Sequence, residues 1–465
     1  MAEVHSPAPP REAAVPHMRR VLTLWDLVFY GILLVQPIAP IPLFGVAQKL
    51  SDGHFVTTLL LAMLPMLITA SSYGRMAAIY PSAGSAYTYV GRGLNVYLGF
   101  LVGWAMLLDY LLIPLVNGIW VAVVIHSRYL PQIPYAVAML LVVVFMTAPN
   151  LRGIKTSARA DKILLFAMCS VTAAFILLAI RFLFYHQGWG GLLSTQPFYN
   201  SRTFSTHTVW MSTSYAALTY IGFDGVTTLA EDVKNPKRNV LLAVVLVCLF
   251  TGLFGGFLAY LGQRVWPDWH TLPNLETAFM DVCQRVGGQG LFHGMGLTIL
   301  LAQLGGGLAG IVGAARLLFG MGRDNVLPRK VFAHLSPGTS TPTYNILIVG
   351  AIAFVGAIAL QHIGNAFEHA GELLNFGAFF AFMNVNLAAF WQFAFVQPHK
   401  SKARTIIDSS LSLFGAVFCG IIWWNLDSIA KTVGGIWFLI GAVYLGLTTR
   451  GFRTPPSMID FGESG

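Results

Sequence analysis

A chain of 465 residues with only 10% charged and 56% hydrophobic side chains, and a mean hydropathy of +0.67, cannot present the surface of a water-soluble protein, in which about a quarter of residues are charged. Lipid is the solvent this composition suits. Of the four cysteines, Cys169, Cys248 and Cys419 fall inside apolar runs and Cys283 stands alone, so neither a disulfide framework nor a metal cluster is indicated.

The first twenty residues, polar and rich in Pro and Ala up to Pro16, lack the apolar core of a signal peptide and read as a disordered cytosolic tail. Twelve apolar runs follow, at 21–48, 54–78, 94–125, 133–150, 161–186, 207–230, 239–264, 289–320, 343–363, 367–393, 404–427 and 431–449. Each approaches the roughly 20 residues a helix needs to cross the hydrocarbon core. A transmembrane domain over 21–449 is therefore expected, closed by a short cytosolic tail at 450–465. Assigning alternate loops to opposite sides puts 21 of the 28 basic residues on the side that holds both termini and 7 on the other. That bias predicts cytosolic termini. It also accounts for the net charge of +9 as topology rather than nucleic-acid binding.

Two runs cannot stay regularly helical. The first carries Gln36, Pro37, Ile38, Ala39, Pro40, Ile41 and Pro42, in which three prolines remove amide donors. The sixth carries Tyr220, Ile221, Gly222, Phe223, Asp224 and Gly225, with glycines bracketing an acid. Interrupted helices in matching positions of two halves are where inverted-repeat transporters hold their substrate. The competing reading for either helix alone is a proline kink or glycine packing.

Ionisable groups at membrane depth mark pathways or binding sites. Asp224, at the second break, is the first candidate to pair with a substrate ammonium, and Asp109, followed by Tyr110, is the second. Glu372 begins the tenth run and reads as a gate or a solvated helix end, whereas Asp26 reads as structural. Tyr220, Phe223 and Tyr110 offer aromatic faces for a cation. In the eighth run Gly305, Gly306, Gly307, Gly310 and Gly313 read as helix packing. The stretch Tyr80–Tyr89 reads as an interfacial connection with little to say about chemistry.

Several segments together resemble the amino acid, polyamine and organocation permease superfamily. They are Pro81 through Tyr87, Gly222-Phe223-Asp224 with Ala230-Glu231-Asp232, Asn235 through Arg238, and Arg316 with Met321 through Pro328. Within it, the nearest likeness is to bacterial putrescine importers, through Leu108-Asp109-Tyr110-Leu111, Gly222-Phe223-Asp224 running into Val226 through Leu229, and Leu374 through Ala378. The resemblance implies an all-α integral membrane protein with twelve transmembrane helices. It implies a LeuT-like five-plus-five inverted repeat, with repeat one at 21–186 and repeat two at 207–393, and two accessory helices at 404–449. Alternating access around helices one, three, six, eight and ten would then move the solute. The implied substrate-binding set is Gln36, Pro37, Ile38, Ala39, Asp109, Tyr110, Tyr220, Gly222, Phe223, Asp224 and Gln303, with Asp109, Asp224 and Glu372 in gating or coupling. No metal and no cofactor is expected.

This chain departs from amino acid permeases of the superfamily in two ways. Their first break is rich in Gly and Ser, whose free amides hold a substrate carboxylate; Gln36-Pro37-Ile38-Ala39-Pro40 lacks that nest, which favours an amine over an amino acid. Where proton-linked members carry a lysine in helix five, Met168 stands here, and where sodium-coupled relatives use hydroxyls in helix eight, the chain reads Ala302 through Gly307. Protonation of Asp109 or Asp224 is then the expected coupling step, with solute exchange as the alternative. The loop between runs two and three lacks the signature of a major-facilitator transporter. The histidines His126, His186, His207, His270, His293 and His362 lie singly, which argues against an enzyme. A solute sensor on the same scaffold is the non-transport alternative. Monomer and homodimer are both left open.

Overall fold

The computed structural model describes residues 22–80, 85–152, 158–323, 326–336, 341–396, 401–454 and 456. The expected N-terminal tail, most of the C-terminal one, Pro81 to Gly84 and Asp324-Asn325 lie outside them. The helices are α1 (Leu24–Val35), α2 (Pro40–Leu50), α3 (Phe55–Ile79), α4 (Ser85–Gly93), α5 (Val96–Val124), α6 (Tyr135–Leu151), α7 (Ala158–Leu192), α8 (Thr206–Ala216), α9 (Pro236–Val265), α10 (Ala278–Arg323), α11 (Arg329–Phe332), α12 (Thr343–Ile363), α13 (Ala366–Trp391), α14 (Lys402–Trp424) and α15 (Ser428–Thr448).

All twelve apolar runs lie on these helical segments. Among the described residues nine helices are long and apolar enough to cross a membrane, and α1 with α2, bent by 53° at their break, makes a tenth span if counted as one. The other two runs are the 17-residue α6, and the sixth run, which is divided between α8 and the 3-10 stretches Ala217–Tyr220 and Phe223–Asp232. In α10, Gly288 at φ 66° and ψ −165° joins two helices, the second of which begins where the sequence places the eighth run.

Local chemistry sets the ends. Thr23 caps α1 through a reciprocal box in which its amide donates to Asp26 Oδ2 at 2.8 Å, so Asp26 is spent on the helix start. Asn95, Ser205 and Asp427 cap α5, α8 and α15 by the same side-chain-to-amide bond. Leu22 and Val233 form a parallel bridge, and the Lys234 amide donates to the Leu22 carbonyl at 2.9 Å. The start of α1 is thereby tied to the end of the second broken segment.

The most enclosed spans are those of α5 and α13, which pack on each other. The helix α3 runs along α9, α5 along α10, α6 along α12, and α1 against the stretch 223–232. Glycines on α10 let α5 approach: Gly306 faces Asn117, Gly310 faces Ile113 and Gly313 faces the Tyr110 ring, an antiparallel ladder of close contacts. On α13, Gly377 does the same against α5, where a Cβ would run into the Ala105 carbonyl oxygen. The helix α14 is fixed to α3 by Arg75 and Asp408, 2.8 Å apart. Helices α7 and α15 sit outermost, with Phe166, Leu177, Leu439 and Leu447 exposed, as lipid-facing rows should be.

Replacing Gly377 by Ala drives a methyl into backbone that cannot yield, and such overpacking costs about 1–3 kcal/mol. Gly377→Ala should therefore lower the thermal unfolding midpoint of the detergent-solubilised protein. Gly420→Ala, whose added Cβ would meet only Met383 Sδ at 3.4 Å, should leave it unchanged, and equal midpoints for the two variants would contradict the packing described.

Candidate functional site

Both predicted breaks exist, and they touch. α1 ends at Gln36, whose φ of 67° and ψ of 127° place a non-glycine residue in a sparsely populated region, at a cost of order 1–3 kcal/mol. An extended ψ is what the following proline demands. Pro40 and Pro42 then fall in the first turn of α2, where a missing amide costs nothing. The strain at Gln36 is offset by its side chain, whose Nε2 donates to the Ala302 carbonyl on α10 at 3.1 Å. The second break centres on Gly222 at φ 108°, a conformation suited to glycine. A Cβ there would stand 3.5 Å from the Leu34 carbonyl oxygen, and one at Gly225 would stand 2.7 Å from Leu34 Cδ1. The end of α1 thus packs directly on the second break.

Around this junction the structure gathers most of the expected residues. Asp224 lies close to the backbone amides of Gly222 and Gly225. Asp109, on α5, is buried with Oδ1 unpartnered, and it is near enough to Asp224 for the two charges to interact. Tyr110 lies within electrostatic reach of both acids. Phe223 is fully buried, 5.2 Å from the Phe382 ring and 5.7 Å from the Tyr73 ring. Among the described residues neither Asp109 nor half-buried Asp224 forms an ion pair, and the rings beside them present negative faces, an arrangement chemically able to accept an organic cation.

Several candidates stand elsewhere. The Tyr220 hydroxyl donates to the Leu59 carbonyl at 2.8 Å between α3 and α9, so that group is spent on packing rather than held free for a ligand. Ile38 is 1% exposed and contributes shape rather than polar contact, as do Pro37 and Ala39. Gln303 forms no side-chain hydrogen bond to the described residues, and the neighbouring Ala302 carbonyl takes the bond from Gln36. Glu372 is not a solvated end, being 4% exposed with Ser214 Oγ donating to its Oε1 at 2.8 Å.

Sequence reasoning missed Tyr73, Tyr89 and Phe382. Tyr73 stacks edge-on against Tyr89, Phe223 and Phe382, with centroids 5.7–5.9 Å apart, and its buried hydroxyl has no partner. Nothing in the α3 or α13 sequence separates these rings from other core aromatics. Tyr89 and Ser85, whose Oγ is 3.1 Å from Thr227 Oγ1, belong to the connection set aside as uninformative. Its Ser-Ala-Tyr-Thr-Tyr pattern was the available signal.

Residues 27–446 match the amino acid permease family. The chain is 34% identical over 444 residues to the low-affinity putrescine importer PlaP of Escherichia coli K12, covering 94% of this chain and 95% of that one. It is 26% identical to the branched-chain amino acid permease BcaP of Lactococcus lactis, over 93% and 96% of the two chains, and 24% identical to the methylthioribose transporter of Bacillus subtilis, over 93% and 94%. Among solved structures, a manganese transporter from Eremococcus coleocola shares the fold at a TM-score of 0.56, with 11% identity and coverage of 95% and 98%. These relatives are transporters and not enzymes, and this chain, matched along nearly its whole length, belongs to the amino acid permease family of membrane transport proteins.

Proposed function

We propose that this permease imports a small aliphatic amine of the putrescine type by alternating access, binding its ammonium between Asp109 and Asp224. The observation that carries this reading is buried Asp109 lying within electrostatic reach of half-buried Asp224, beside a first break that offers proline in place of amide donors. A carboxylate-bearing solute finds no anion nest there and meets two like charges. A cation offsets both. Similarity to a protein named as a putrescine importer supports the substrate class, while similarity to branched-chain amino acid permeases keeps amino acid uptake or amine exchange as the second reading.

The architecture proposed with it is twelve spans and a five-plus-five inverted repeat. Contacts support it: α3 with α9, α5 with α10, α6 with α12, and the first break with the second each join one helix to its counterpart five spans later. Both termini are proposed to be cytosolic, from the distribution of basic residues. Gln36, bonded across to Ala302, would hold α1 against α10 with a neutral amide, which makes a resident cation unnecessary for closing that seam. Coupling then falls to a proton on Asp109 or Asp224.

Four measurements test these statements. Labelled putrescine taken up into proteoliposomes should be displaced by unlabelled diamines and not by amino acids; displacement by amino acids alone would move the chain to the second reading. Asp224→Asn should abolish uptake in protein that is still folded and inserted, since losing a charged partner costs about 1.5–3 kcal/mol, roughly tenfold or more in binding; unchanged kinetics would remove Asp224 from the site. A proton uncoupler should depress uptake by the unmodified protein and not by Asp109→Asn, and insensitivity of both would exclude the proton. Green fluorescent protein fused to the C-terminus should fluoresce in cells, as cytosolic fusions do, and a dark fusion would reverse the orientation.

A further inference from the structure

A second buried carboxylate site lies where α8 meets α13. Ser214 Oγ donates to Glu372 Oε1 at 2.8 Å, and Asn375 Nδ2 donates to the Ser214 carbonyl at 2.6 Å, so two side chains one turn apart on α13 converge on one residue of α8. Their other oxygens, Glu372 Oε2 and Asn375 Oδ1, are buried without a hydrogen-bond partner, and so is the Tyr215 hydroxyl. Tyr215 and Asn375 have no exposed surface and Glu372 has 4%. The Tyr215 ring packs on α13 at Gly371, 3.5 Å from where a Cβ would stand, and the residue lies within electrostatic reach of Glu276, Glu368 and Glu372.

Each of these orphan atoms can accept a hydrogen bond, and the charges that act on Tyr215 are those of glutamates. A donor carrying positive charge would satisfy them. An unmet buried acceptor costs about 1–3 kcal/mol and a carboxylate more, which a protonated amine with three N–H donors would recover. Of the bases near these acids, His369 bonds Asp427 at 2.5 Å and Lys49 lies within electrostatic reach of Glu368, and neither hydrogen-bonds the orphan atoms. Glu372 precedes Gly377, the residue that backs onto the Asp109 amide, by five positions, about 7.5 Å along the helix axis. The cluster is therefore separate from the Asp109–Asp224 pair and nearer the N-terminal end of α13.

The geometry points to a second ammonium site formed by Ser214, Tyr215, Glu372 and Asn375, lying outward of Asp109 and Asp224, which receives a primary aliphatic amine before it reaches the inner pair. This rests on the orientation and amine class proposed above and adds a station to that path. Equilibrium binding of labelled putrescine to the full-length protein in nanodiscs tests it. Two molecules per chain are expected in the unmodified protein and one in Glu372→Gln, with the uptake KM raised about tenfold and kcat retained, as loss of one charge-assisted contact implies. Tyr215→Phe removes only an unpartnered hydroxyl, which a purely structural role would not register; it should weaken outer binding in protein of normal stability. Asp224→Asn should retain the outer molecule alone. One molecule in the unmodified protein, or two in Glu372→Gln, overturns the outer site and leaves the inner reading standing. Binding of none overturns both.

Discussion

Backbone at membrane depth that leaves the helical pattern must find hydrogen-bond partners within the protein, and the whole site depends on how that constraint is met where α1 and the second broken segment touch. Gln36 closes its own break by reaching to Ala302. At the other, the Gly225 amide donates to the Gly222 carbonyl at 3.1 Å, and Gly222 lets the backbone lie against Leu34. Prolines at the first break remove amide donors, and at the second the amides of Gly222 and Gly225 lie by the chain's own Asp224 carboxylate. That construction is the basis on which we propose an amine rather than a carboxylate-bearing solute.

The electrostatics then follow from what the surrounding helices bring in. α5 reaches the junction because glycines on α10 and α13 let its backbone come close, and it carries Asp109 with it. α3 and α13 contribute Tyr73 and Phe382, which seal Phe223 from lipid. A pair of acids so placed is expensive unless a cation shares the space, and that expense is the proposed source of affinity for an amine. Losing a packing glycine such as Gly377 would displace Asp109 as surely as mutating the acid itself.

Much of this was legible in the amino-acid sequence, for reasons that differ by feature. Apolar runs report helical spans because the bilayer's thickness acts on each segment locally, and the basic loops carry the proposed orientation through their charge asymmetry. The breaks were legible because Pro37, Pro40, Pro42 and Gly222 carry their backbone preferences with them. Asp109 and Asp224 stood out because charge is rare in apolar helices. Tyr220 was ambiguous because an aromatic residue next to a break says nothing about which way its ring turns; its hydroxyl goes to Leu59. Glu372 was ambiguous for a related reason: a helix end is wet or dry according to what packs on it, and here α8 covers it. The aromatic walls were invisible because they are set by tertiary contact among many equivalent rings.

The central claim is that an amine's ammonium lies between Asp109 and Asp224 at the meeting of the two breaks. Cryo-electron microscopy of the full-length protein with putrescine bound tests it most directly. The account predicts ligand density enclosed by Tyr73, Phe223 and Phe382, with one nitrogen at hydrogen-bonding distance from Asp224 or Asp109. Density lodged elsewhere, with both aspartates free of ligand, would contradict it.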